Sequence, residues 1–169
     1  MSDDFLNCFT ILQQEFLVCI TVHKARNLSV YNADTYVKVT LDKKVKQTKV
    51  YQNSENPYFN EYFVFEVFCS LNELLRLTIL FQVFRHNLFR KDVLLGELFL
   101  DLATIWNQSG HSFFKKWGKL ESPMGQQSGK SRGHLQVDLS IVTKNEPPAP
   151  AVFESHDYDD IEKLSRNIP

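Results

Sequence analysis

The chain has 169 residues, 43% hydrophobic and 23% charged, with a formal net charge of −1. That length suffices for one domain with its own core, and the near-neutral charge argues against a nucleic-acid-binding chain. No apolar run approaches the roughly 18 residues a membrane span needs.

The average charge hides an asymmetry: residues 143–169 hold three Lys/Arg against six Asp/Glu, leaving the remainder net basic. Three cysteines, Cys8, Cys19 and Cys69, are an odd number without regular spacing. They do not read as a disulfide framework and suggest a reducing setting. Cys19, inside a strand pattern, reads as a small buried hydrophobe. The opening MSDDFLNC is acidic and lacks the basic region of a signal peptide.

Period-2 alternation then recurs between Phe16 and Ile141. In 16–23, FLVCITVH, the residues Phe16, Val18, Ile20 and Val22 share a face. In 36–41 Val37, Val39 and Leu41 alternate with Tyr36, Lys38 and Thr40. A basic strand is expected at 44–50, and Phe63, Phe65 and Val67 share a face in 62–67. The run LTILFQVF at 77–84 is apolar on both sides, as a central strand would be. Leu98, Leu100 and Leu102 alternate in 94–102, FFKKWGKL occupies 113–120, and Leu135, Val137, Leu139 and Ile141 alternate in 135–141. Fourteen Phe and six Tyr suit such strands. Eight strands with one-sided alternation predict an all-β, eight-stranded antiparallel β-sandwich.

The connections fit this reading. QNSENP at 52–57 is turn chemistry. SLNELLRL at 70–77 accommodates one helical turn, and LATIWNQSG at 102–110 reads as a short helix ended by Gly110. The spacing therefore predicts one or two short helices in loops. From Thr143 the alternation stops, and a Pro-rich KNEPPAPAV leads into an acidic tail. The expected organisation is a lead at 1–11, a domain at 12–143, and a disordered linker or tail at 144–169.

These segments resemble a C2 domain. ADTYVKVTL is similar to the S-D-P-Y-V-K-V segment, with Thr35 in place of proline, and QNSENPYFNEYFVFEV carries the N-P-x-F-N-E run. DVLLGELFLDLATIWNQSGHSFFKKWGKLESP, followed by SRGHLQVDLSIV and EPPAP, resembles the second C2 domain of the ferlins. Ferlins are large tail-anchored proteins of vesicle fusion and membrane repair. The resemblance implies a non-catalytic module on the cytoplasmic side of membranes, in a chain itself soluble and either a fragment or a short isoform of a longer parent.

Many C2 domains bind Ca²⁺ through about five loop carboxylates, because this hard cation wants six to eight oxygens. Here the resemblance leaves Asp34 and Asp92 as weak metal candidates only. Arg85 and Asn87 stand where a D-x-D pair is usual, and Val93 takes the last ligand position. A cation would meet the charge of Arg85 there. The expectation is no cofactor, with Ca²⁺ disfavoured. Asp34 also reads as a carboxylate serving backbone N–H groups, and Asp92 as a turn residue.

The loop RHNLFRKD at 85–92 places Leu88 and Phe89 between Arg85, Arg90 and Lys91. An apolar tip in a basic collar suits reversible contact with anionic lipid. It equally allows Phe89 to fold back on the sandwich or to meet another domain. Lys38, Lys44, Lys46 and Lys49 suggest a second, basic lipid-binding face, with Lys44, Lys46 and Lys38 standing together. Lys115, Lys116 and Lys119 are expected to extend that face. A solvated face is the plainer reading. The expected partners are anionic phospholipids, phosphatidylserine and phosphoinositides, or else neighbouring C2 domains or other proteins, with no nucleic acid. GQQSGKS at 125–131 is no P-loop, since three residues rather than four separate Gly125 from Gly129. The five histidines, His23, His86, His111, His134 and His156, show no metal spacing.

Overall fold

The computed structural model describes residues 12–123, 132–144 and Ile161. Within these residues the eight expected strands form. They are β1 (Gln14–Arg26), β2 (Thr35–Leu41), β3 (Lys44–Gln47), β4 (Tyr58–Cys69), β5 (Thr78–Arg85), β6 (Val93–Asp101), β7 (Ser112–Lys119) and β8 (His134–Thr143). They build two antiparallel sheets, β4-β1-β8-β7 and β3-β2-β5-β6.

Alternation decides what each sheet turns inward. The first sheet supplies Phe16, Val18, Ile20 and Val22 from β1 and Leu135, Val137, Leu139 and Ile141 from β8. The second supplies Val37, Val39 and Leu41 from β2 and Ile79, Phe81 and Val83 from β5. None of these is more than 1% exposed. Each such side chain contributes roughly 1.5–3 kcal/mol by leaving water. β5, apolar on both faces, lies inside its sheet between β2 and β6.

Two short helices close connections. α1 (Leu71–Leu74) starts at Ser70, whose hydroxyl accepts the Glu73 N–H while the Glu73 carboxylate accepts the Ser70 N–H. α2 (Leu102–Trp106) buries Leu102, Thr104 and Ile105. It ends at Asn107 rather than at Gly110. The Asn107 N–H bonds Ala103 O, and the Gln108 side chain donates to Thr104 O at 3.0 Å. With those carbonyls satisfied, the helix stops, and Gly110 (φ 63°) serves the following 3₁₀ turn instead.

Two further expectations are corrected. The basic strand stops at Gln47, because Thr48 turns inward and its hydroxyl accepts the Val37 N–H at 3.0 Å. Cys19 is half-buried on the outer side of β1, out of phase with its core-facing neighbours. The expected tail lies outside the described residues except for Lys144 and Ile161, and Ile161 is helical, 4% exposed and part of the core. It sits over Gly118 of β7, which faces Leu98 of β6. β6 and β7 end their respective sheets, so Ile161 plugs one open side of the sandwich.

Candidate membrane-contact site

Three connections gather at one end of the sandwich: 27–34 between β1 and β2, 48–57 between β3 and β4, and 86–92 between β5 and β6. Backbone bonds tie them together. Tyr51 and Thr35 exchange N–H···O bonds of 2.7 and 2.9 Å, the Ser54 N–H bonds Ala33 O, and the His86 N–H bonds Asp34 O at 2.7 Å. Asn27, Asn32 and Asn53 take φ of 54°, 45° and 54°. Asparagine is among the non-glycine residues that tolerate that left-handed region best.

Both weak metal candidates are engaged within this scaffold. Asp34 Oδ1 accepts the Asn53 N–H at 3.0 Å. Asp92 Oδ2 accepts the Tyr36 hydroxyl at 2.6 Å, while its Oδ1 accepts the Asn87 N–H at 3.0 Å and lies 3.2 Å from His86 Nδ1. The Tyr36 hydrogen bond, with the Asn87 N–H and His86, holds the Asp92 carboxyl below its ordinary range. Burial, with the facing Asp92, pushes the Tyr36 phenol up to about 12. Among the described residues, no group of three or more His, Cys, Asp or Glu is placed to hold a metal ion.

Above this braced base the tip is bare. Phe89 is 96% exposed and Leu88 80%, so Phe89 does not fold back on the sandwich. Arg85, Arg90 and Lys91 are exposed around them. Sequence reasoning missed Tyr31, 85% exposed in the first connection at the same end. A large aromatic amid NLSVYNAD, between two turn-forming asparagines, was the available signal.

The lysine face differs from expectation. In β3 Lys44 pairs with Leu41 and Lys46 with Val39, both core-facing. Lys44 and Lys46 therefore lean toward the inner side, and their ammonium groups donate to β4 carbonyls. Lys44 reaches Glu66 O, and Lys46 reaches Val64 O at 2.7 Å with the Phe65 ring beneath it. They bridge the second open side of the sandwich, between end strands β3 and β4. Lys38 lies on the opposite face of its sheet, with its ammonium over the Phe84 ring. Lys49 is exposed beyond β3, its N–H held by Glu61. Lys115, Lys116 and Lys119 lie on β7, at the far end of the other sheet, and do not extend the β3 lysines.

This eight-stranded sandwich with three loops braced at one end has the architecture of a C2 domain. The C2 domain family model matches residues 16–119. The chain belongs to that family. It is 33% identical over 150 residues to myoferlin of Xenopus tropicalis, across 88% of this chain and 8% of the relative. It is 32% identical over 163 residues to Ferlin 2 of Tetrahymena thermophila, across 93% of this chain and 10% of that protein. The similarity is that of a ferlin C2 domain, and the chain spans a tenth or less of those relatives' length. Among solved structures, a C2 domain of a plant Extended Synaptotagmin 1 superposes with a TM-score of 0.61 at 24% identity, covering 77% of this chain and 96% of that one. The paired C2 domains of Extended-Synaptotagmin 2 give 0.63 at 18% identity, covering 79% and 41%. These likenesses show the fold. No helix among the described residues is long and apolar enough to cross a membrane.

Proposed function

We propose that residues 12–143 form a non-catalytic C2 module of ferlin type, related most to the second C2 domain of that family. It docks on the cytoplasmic side of anionic membranes during vesicle fusion and traffic, largely without calcium. The observation that carries this reading is the loop 86–92: a bare apolar tip, Leu88 and Phe89, above a carboxylate, Asp92, already occupied by three donors. A tight Ca²⁺ site needs six to eight oxygens, mostly charged, and both Asp34 and Asp92 hold the loops together instead. Apolar insertion and anionic attraction then supply the two signals of a reversible contact. Arg85, Arg90 and Lys91 contribute about 1 kcal/mol each near phosphatidylserine or phosphoinositides. Lys44 and Lys46, with Lys49 beyond them, form a weaker second contact, since Lys44 and Lys46 must leave their β4 carbonyls to reach lipid, and Lys38, on the opposite face, does not share it.

A second reading follows from the same exposed tip: Leu88 and Phe89 dock on a protein or a sister domain. Co-sedimentation with neutral, phosphatidylserine and phosphoinositide vesicles, with Ca²⁺ and with chelator, separates the two. Anionic binding that survives chelator and weakens in Leu88→Ser/Phe89→Ser supports the membrane reading. Absence of binding to every vesicle favours the docking reading, and binding abolished by chelator refutes the calcium-independent form.

A further inference from the structure

The outer face of the β4-β1-β8-β7 sheet carries a feature unrelated to the loop tip or the β3 lysines. In β1 the core-facing residues are Phe16, Val18, Ile20 and Val22, so simple alternation would drive Lys24 and Arg26 into the core. A bulge between Val22 and Lys24 prevents this. It flips the phase, sends Ala25 inward at 1% exposure, and turns Lys24 and Arg26 outward. β7 has its own bulge between Phe113 and Lys116, with Lys115 at φ 50°. Phe113 faces the core, but beyond the bulge Trp117 pairs with Gln136 on the outer side of the sheet, where it is still only 7% exposed.

The two bulges converge. Register lines up Tyr58, Lys24, Gln136 and Trp117 across β4, β1, β8 and β7, with Arg26, His134 and Lys119 in the adjacent row. The Lys24 ammonium lies 5.3 Å from the Tyr58 ring centroid and 5.6 Å from that of Trp117. The Arg26 guanidinium stacks 4.0 Å from the Trp117 ring, and its buried Nε has no hydrogen-bond partner among the described residues. Lys24 and Arg26 thus share one face with aromatic rings as their neighbours, and among the described residues neither is paired with a carboxylate. Cation–π contact fixes such groups without neutralising them. A guanidinium held flat on a ring presents its fork at the edge, the geometry that matches phosphate. Bulges are enriched where a strand must re-aim side chains for a ligand.

We propose that Lys24 and Arg26, walled by Tyr58 and Trp117, form a subsite for the phosphomonoester of a membrane lipid headgroup. It lies on the sheet opposite the one that carries the β3 lysines. This inference rests on the membrane reading above and adds a headgroup contact to it. A headgroup held here would tilt the module toward this face while the loop tip touches the bilayer.

The test uses the whole chain and two probes: soluble inositol 1,4,5-trisphosphate, followed by amide and indole NMR shifts, and phosphatidylcholine vesicles with and without phosphatidylinositol 4,5-bisphosphate. The trisphosphate should shift Lys24, Arg26, Gln136 and the Trp117 indole. Lys24→Gln should raise its Kd about tenfold, as loss of one charge-assisted contact does, with the spectrum otherwise unchanged. Leu88→Ser/Phe89→Ser should leave that titration intact while weakening vesicle binding. Shifts confined to residues 38–49, or a Lys24→Gln chain that titrates like the parent, overturn the subsite. Trisphosphate binding at Lys24 in a chain that ignores all vesicles overturns the membrane reading and the lipid source, leaving a site for a soluble phosphate.

Discussion

Truncating Ile161 measures how much of the fold depends on a residue outside the alternating strands. The side chain is 4% exposed and lies over Gly118, where a Cβ would come within 3.2 Å of its Cδ1. Ile161→Ala removes three carbons from a buried site, at a cost of about 2–4 kcal/mol. For a chain of this size each kcal/mol lowers Tm by about 2–4 °C, so the midpoint should fall by about 4–16 °C. There is a ceiling. Once the segment carrying residue 161 lets go, no further loss is possible, so the variant cannot melt below a chain ending at Lys144. Thermal unfolding followed by circular dichroism, with parent, variant and shortened chain side by side, reads both numbers. A shortened chain as stable as the parent refutes the argument, because the plug would then contribute nothing. So does a variant that melts well below the shortened chain.

Four further outcomes follow from the geometry. Tyr36 ionises near pH 12, so it contributes stability that is complete below pH 10 and is lost as pH rises toward 12. In Asp92→Asn, phenolate absorbance at 295 nm should show one tyrosine titrating earlier than in the parent. Asp92 has the opposite sign: its carboxyl is held low, so its contribution is complete above the ordinary carboxylate range and is lost as pH falls from that range through its own lowered value. Tyr36→Phe should move the Asp92 carboxyl resonance toward that ordinary midpoint. Gly133 sits at φ +96° with Arg26 O 2.6 Å and Asn27 O 2.9 Å from where a Cβ would stand. Gly133→Ala should therefore cost about 2 kcal/mol or more and lower the urea midpoint. Replacing Lys44 and Lys46 with Ala frees two β4 carbonyls and should increase self-association on light scattering.

The strands were legible because burial on one face leaves a period of two that few other folds share. Phe16, Val18, Ile20 and Val22 state it without ambiguity. The phase of KVKQ was not legible. A short end strand with one apolar residue does not say which face is inside, and here Val45 is 55% exposed while the lysines lean in. Nor does the letter sequence show a bulge, so VHKAR read as plain alternation conceals the outward turn of Lys24 and Arg26. Ile161 was invisible for another reason: one apolar residue in an acidic stretch carries no period. At the loop, composition showed an apolar tip but left open whether Phe89 folds back, and Tyr31 is exposed through backbone geometry that composition does not encode.

The three donors on Asp92 have a consequence for the loop as a mechanical part. A free loop that grips a surface must first give up its own conformational freedom, at about 1–2 kcal/mol for each residue fixed. Here the base of 86–92 is fixed before any encounter, by Tyr36 from the strand below and by Asn87 and His86 from the loop itself. Whatever receives Phe89 meets a stiff wedge, preorganised rather than tethered, and the affinity it gains is not spent on ordering the peptide behind it.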